Sequence, residues 1–223
     1  MNYQEIFDKI EDKLDGNPHL DDLARKKTDP FKILISTILS ARTRDTNTRK
    51  VTIRLFKEFN SPKEISEADI ELLEELVYET GFFRQKAKRI KETSKIIHEK
   101  YDNKVPRDFK KLIELPGVGR KTANCTLAYA FNIPAICVDT HVHRISNRLG
   151  WVRTKKPKDT EKALKEIIPK ELWVRINRLF VRFGQQICLP NHPKHEICPV
   201  EDICAKDFSM EQDRKAKKKK KQK

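Results

Sequence analysis

Several features are missing from this chain, and each absence excludes a class of protein. No apolar run is long enough to cross a bilayer. Met1–Leu20 is charged throughout and does not read as a secretory signal, so an intracellular protein of the cytoplasm or nucleoid is expected. No stretch alternates apolar and polar residues at period two, so no strand is expected. No internal repeat is visible. Cysteine is sparse and odd in number, five in 223 residues, with three of the five near the C-terminus. That argues against a disulfide framework and for a metal site. Glycine is scarcer than its usual share, at six residues.

What is present in excess is positive charge. The formal net charge is +15 and the pI is about 9.6. A polyanionic partner is therefore favoured, with DNA or RNA first and an anionic membrane surface second. Eight of the positive charges fall in the ten residues 214–223. Such a run cannot bury apolar surface, and it is expected to be disordered. Without it the net charge is still +7, so the folded part is basic too.

Apolar residues recur at three and four. Ala87, Ile90, Ser94, Ile97 and Tyr101 share one helical face, as do Ile33, Leu34, Thr37, Ile38 and Ala41. Asp29–Pro30, Ser66 with Asp69, and Pro106–Asp108 read as helix starts, and Asp45 as the cap of a further helix. Gly81 and Gly150 read as stops. Asn60–Ser61–Pro62 reads as a turn, and Asn132–Ile133–Pro134 as an interruption. The pattern predicts about ten short helices in an all-α fold. Cys125 and Cys137 fit apolar helical faces and are read as core thiols.

Two of the six glycines stand two residues apart, in Leu115–Pro116–Gly117–Val118–Gly119–Arg120–Lys121–Thr122–Ala123. They lie between two helical patterns. Glycine permits a turn that other residues resist. The helix that follows opens with unpaired N–H groups and the positive end of its dipole, which suits a phosphate. Leu115 and Val118 would anchor this hairpin in the core. A tight helix–helix corner is the bland alternative. Lys121 falls in the first turn of the second helix, where the dipole and burial would both disfavour its charge and leave a nucleophilic amine. A simple phosphate contact, as for Arg120, is the alternative. Asp139 precedes a helical stretch and makes a good N-cap.

The segment LPGVGRKTA resembles the helix-hairpin-helix of DNA glycosylases, and is most similar to that of the endonuclease III family. Val138–Asp139–Thr140–His141 stands where that family carries its acidic residue. The resemblance runs from about Asp29 to Cys204. It implies two helical domains, 23–133 and 1–22 with 134–210, with an active site in the cleft between them and a basic tail at 211–223. It implies a monomeric base-excision repair enzyme that acts on double-stranded DNA with a damaged base or abasic site, and no membrane partner. Lys121 would be the Schiff-base nucleophile of a glycosylase and β-elimination lyase, and Asp139 its carboxylate partner. Arg42, after Leu39–Ser40–Ala41, and Phe82, after Gly81, would fill the gap left by the flipped nucleotide. For one of Phe82 and Phe83, core packing is expected instead. His141 would contact phosphate or serve the fold, and His143 would be structural. A mismatch or oxidised-purine glycosylase of the same fold, and a non-catalytic DNA-binding module, are the alternatives.

Cys188, Cys198 and Cys204 match three positions of the family's Cys-x6-Cys-x2-Cys-x5-Cys loop, which holds a [4Fe–4S] cluster. The remaining position is His195. A cluster with Cys3His ligation, a structural zinc site, and a lost or three-iron cluster all remain open.

Overall fold

The computed structural model describes residues 1–209, which form helices and loops with no strand among them. The basic run expected to be disordered, 211–223, lies outside the described residues. Two compact units divide the chain. One is Asn17–Ala135, and the other joins Met1–Gly16 to the residues from Ile136 onward. α1 (Tyr3–Glu11) belongs to the second unit. The first unit holds α2 (His19–Arg25), α3 (Pro30–Ser40), α4 (Asp45–Glu58), α5 (Pro62–Glu67), α6 (Ile70–Val77), α7 (Phe83–Tyr101), α8 (Phe109–Ile113) and α9 (Arg120–Phe131). The second resumes with α10 (Thr140–Arg148), α11 (Pro157–Ile167) and α12 (Trp173–Gln186).

Carboxylates and hydroxyls set the helix starts. Asp29, with Pro30 behind it, accepts the Phe31 N–H at 2.7 Å and opens α3. Asp69 and Asp108 open α6 and α8 in the same way. Two sequence expectations shift. Ser66 lies inside α5, and the turn at Asn60–Pro62 is that helix's start, with Ser61 Oγ accepting the Glu64 N–H. Asp45 does not cap α4. It is that helix's first residue, and its carboxylate instead accepts the His19 N–H at 3.1 Å. It thereby serves α2, whose preceding Pro18 offers no capping side chain.

In the first unit α3 is buried from Phe31 to Leu39 apart from Lys32, and α9 from Thr122 to Tyr129, and the two pack together. Helices covered on nearly all sides form the unit's centre. α7 lies against α5, α6 and α3 with Ala87, Ile90, Ser94 and Ile97 inward. Ala41 is exposed because α3 ends one residue before it. Cys125 is buried in α9, and it is disulfide-bonded rather than the core thiol expected.

The second unit is centred on α12, which buries Ile176, Leu179, Phe180 and Phe183 against Phe7 and Ile10 of α1 and Val142 and Ile145 of α10. Phe180 meets Trp151 at 5.6 Å and Phe7 at 6.0 Å between ring centroids. Cys137 is buried at this unit's start. His143 is buried too, with Nδ1 on Thr160 Oγ1 at 2.6 Å. No helix is long and apolar enough to cross a membrane among the described residues.

Candidate nucleic-acid and catalytic site

The hairpin between α8 and α9 is built from its buried residues outward. Leu115 and Val118 are buried, and Val118 N–H returns to the Leu115 carbonyl at 3.0 Å. Thr93 Oγ1 of α7 donates to the Pro116 carbonyl at 2.7 Å and ties the turn down. Gly117 has φ +78°, and a Cβ there would press on the Arg89 side chain at 3.0 Å. Gly119 differs. Its φ is −92°, which any residue adopts, and a Cβ would meet nothing within 4 Å. Neither backbone nor packing requires glycine at that position. A side chain at 119 would thus enter open space, and Gly119 itself offers no capping side chain to the first N–H groups of α9. The Arg120 guanidinium stacks on Phe109 at 5.1 Å.

Lys121 is the second residue of α9 and is exposed. Burial was expected for this side chain, and it is exposed instead. The position against the helix dipole is as the sequence predicted.

Asp139 caps α10. Its Oδ1 accepts both the His141 N–H at 2.9 Å and the Val142 N–H at 2.8 Å. The cap therefore occupies one carboxylate oxygen and leaves Oδ2 out of it. His141 is half-buried, with Nδ1 3.3 Å from Arg144. A side chain at Gly184 of α12 would collide with the His141 ring, so that glycine lets α10 and α12 approach.

The two loops expected to enter DNA are neighbours within the first unit. Arg42 and Phe82 are both exposed, and the Arg42 guanidinium lies over the Phe82 ring at 5.2 Å. Both adopt left-handed backbone, at φ 53° and 60°. Phe83, in contrast, is half-buried, so neither phenylalanine is a full core residue. Gly81 is fixed by close approach: a Cβ there would sit 2.8 Å from the Arg42 carbonyl oxygen. Sequence reading missed the group beneath these loops. Lys86 is 4% exposed, and its Nζ donates to the Leu39 carbonyl at 2.7 Å and to Thr43 Oγ1 at 2.8 Å. Its signal was present, since Lys86 falls in phase with Ile90, Thr93 and Ile97 on the apolar face of α7. Burial pushes its ammonium down to about 8.

Cys188, His195, Cys198 and Cys204 line one cavity of the second unit. The three cysteines are free. Burial pushes the Cys198 and Cys204 thiols up, and the neighbouring sulfurs add to this. Two arginines one turn apart on α10 hold the loop, a role the sequence did not suggest. Arg144 donates to the Cys188 carbonyl at 2.9 Å. Buried Arg148 donates to the Leu189 and Pro190 carbonyls at 2.7 Å and approaches Cys188 Sγ at 3.4 Å. Among the described residues, no three His, Cys, Asp or Glu side chains converge closely enough to hold a single metal ion.

Residues 35–170 match the HhH-GPD superfamily of base excision DNA repair proteins. An endonuclease III from Thermotoga maritima is 52% identical over 179 residues, covering 80% of this chain and 84% of the relative. The chain belongs to the endonuclease III family. The Bacillus subtilis endonuclease III is 39% identical over 79% of this chain and 81% of its own length. The bovine endonuclease III-like protein 1 is 41% identical, and this chain spans 64% of its length. Among solved structures, a trapped covalent intermediate of endonuclease III with DNA matches with a TM-score of 0.76 at 38% identity, covering 84% of this chain and 92% of that one. A thermostable thymine-DNA glycosylase matches with a TM-score of 0.77 at 25% identity, covering 94% of both chains.

Lys86 carries a pH signature of this endonuclease III-family fold. Below about pH 8 the folded chain holds a buried ammonium and bears its desolvation cost. Between about 8 and the ordinary 10.5 the folded chain releases that proton while the unfolded chain retains it. The contribution of this group to stability therefore rises with pH across that window. The unfolding free energy of the parent protein minus that of Lys86→Met, from urea titrations, is expected to be larger near pH 9.5 than near pH 7. A flat or falling difference contradicts the buried-charge account.

Proposed function

We propose that the chain is a bifunctional DNA glycosylase and abasic-site lyase of base excision repair, acting on oxidised pyrimidines in double-stranded DNA. The observation that carries this reading is Lys121, exposed on the first turn of the helix that begins at the bare Gly119. Gly117, Val118 and Gly119 bring backbone N–H groups to a phosphate, Leu115 and Val118 hold the hairpin, and Arg120 adds a cation. His141, beside the cap of α10, is a further backbone contact. Arg42 and Phe82 enter the stack as the lesion nucleotide leaves it. The similarity to a trapped endonuclease III–DNA covalent intermediate supports a covalent route.

The Lys121 amine in its neutral form bonds to C1′ as the glycosidic bond breaks, and the base departs with the electron pair and is protonated. The sugar ring opens and the adduct becomes a Schiff base. Loss of a C2′ proton then expels the 3′ phosphate and cuts the strand, and water later frees the lysine. Asp139 helps activate the amine and offsets positive charge developing on the sugar, while Oδ1 keeps the α10 cap. The similarity to a thymine-DNA glycosylase favours mismatched thymine as a second substrate reading. A panel of duplexes, each with a single lesion or mismatch, separates the two.

Borohydride trapping on an abasic duplex tests the chemistry. The parent protein is expected to give a covalent adduct, and Lys121→Gln none. An adduct that survives in Lys121→Gln places the nucleophile elsewhere. Asp139→Asn keeps an Oδ1 acceptor, so stability is expected to change by less than about 0.5 kcal/mol. Base-removal rate is expected to fall on the order of a hundredfold. Loss of stability and rate together would reduce Asp139 to its cap.

The same reading assigns a [4Fe–4S] cluster to Cys188, Cys198, Cys204 and His195. Zinc requires four donors about 2.0–2.3 Å from one point. Each of the four would hold a different iron of the cluster, and all four line one cavity. By holding the cluster, these four residues would clamp the loop that carries the exposed Lys194 and Lys206. Purified protein is expected to be brown, with iron and acid-labile sulfide in roughly equal amounts. Colourless protein containing zinc contradicts the assignment.

A further inference from the structure

Lys86 is the one lysine among the buried residues of the first unit. Its first acceptor, the Leu39 carbonyl, lies in the last turn of α3, where carbonyls lack helical partners and the dipole is negative. Its second acceptor is a hub. Thr43 Oγ1 also accepts the Gly81 N–H at 3.3 Å and itself reaches the Ala41 carbonyl at 3.3 Å. One ammonium and one hydroxyl thus join the end of α3, the loop before α4 and the loop before α7.

Each of those two loops presents one non-glycine residue in left-handed backbone, Arg42 and Phe82. Such a conformation is sterically disfavoured for a residue with a Cβ and persists only where the surroundings over-determine it. The surroundings here are the Lys86–Thr43–Gly81 link and the close approach of Gly81 to the Arg42 carbonyl. The product is an exposed cation stacked on an exposed aromatic ring.

We propose that Lys86 is a positioning residue that locks the two loops together, so that Arg42 and Phe82 enter the DNA stack as one preassembled wedge rather than as two independent side chains. This rests on the reading above that Arg42 and Phe82 enter the stack. Preassembly removes the need to order two loops separately on binding. Lys86 touches no reacting atom, so its loss impairs steps that require unstacking and spares chemistry on a strand already open.

Lys86→Met and Thr43→Val break the link from its two ends, and the second is close to isosteric. Three measurements on the full-length protein read the outcome: base removal from a lesion duplex, fluorescence of 2-aminopurine placed opposite an abasic site, and lyase activity on a single-stranded abasic oligonucleotide. Both variants are expected to lose on the order of ten- to a hundredfold in duplex base removal, together with most of the fluorescence rise on binding. Single-stranded lyase activity is expected to stay within about twofold, since no unstacking is required. Adding Phe82→Ala to Lys86→Met should cost much less than Phe82→Ala alone, because coupled residues are not additive. If Phe82→Ala changes duplex removal and fluorescence but Lys86→Met and Thr43→Val do not, the locking role is wrong while the wedge stands. If Phe82→Ala itself changes neither, the wedge reading fails and the inference fails with it. If Lys86→Met and Thr43→Val reduce all three activities alike, the link is merely structural and the proposal is overturned.

Discussion

An α-helix leaves its first N–H groups and last carbonyls without partners inside the helix, and an all-helical chain meets this constraint at every element. Most of the starts in the first unit are met by a side chain. Asp29, Ser61, Asp69 and Asp108 cap their own helices, and Asp45 reaches back to serve α2. In α4, α7 and α9 the preceding residues, Arg44, Phe82 and Gly119, make no capping hydrogen bond. These three starts follow the three segments that we propose meet DNA. Where the fold does not spend a side chain on its own backbone, that backbone or its neighbours are left to meet a ligand. The opposite end obeys the same rule: the Leu39 carbonyl at the close of α3 receives a buried ammonium.

α10 shows how one group can serve both needs. Its start is capped by Asp139, yet the two backbone bonds converge on a single oxygen. On the proposed reading of Asp139, folding and chemistry need not compete for that carboxylate. On the same helix Arg144 and Arg148 turn from helix to loop and collect the carbonyls at 188–190. The cysteine loop is therefore held by hydrogen bonds to its backbone.

The helical class, the hairpin and most helix starts were legible in the sequence because they rest on local rules: periodicity, proline and aspartate at starts, glycine at turns. The cysteine spacing was legible for the same reason. Errors arose where a residue acts at a distance. Asp45 looked like the cap of its own helix because its acceptor work on His19 crosses 26 positions. Lys86 was overlooked because a lysine on an apolar stripe looks like noise until its partners, 43 and 47 positions away, are known. The burial expected of Lys121 is a property of tertiary packing, and periodicity does not determine it for the first turn of a helix.

Gly117 and Gly119 look alike in the sequence and are held by different constraints. At Gly117 the left-handed turn and the Arg89 side chain both oppose a larger residue, so folding itself resists replacement. At Gly119 the backbone is ordinary and the space is empty. A mutational scan scored on abundance or melting temperature would rank the first as intolerant and pass over the second. On the proposed reading, what keeps position 119 small is the approach of a phosphate to the start of α9, and survival under DNA damage scores that where thermal tolerance does not.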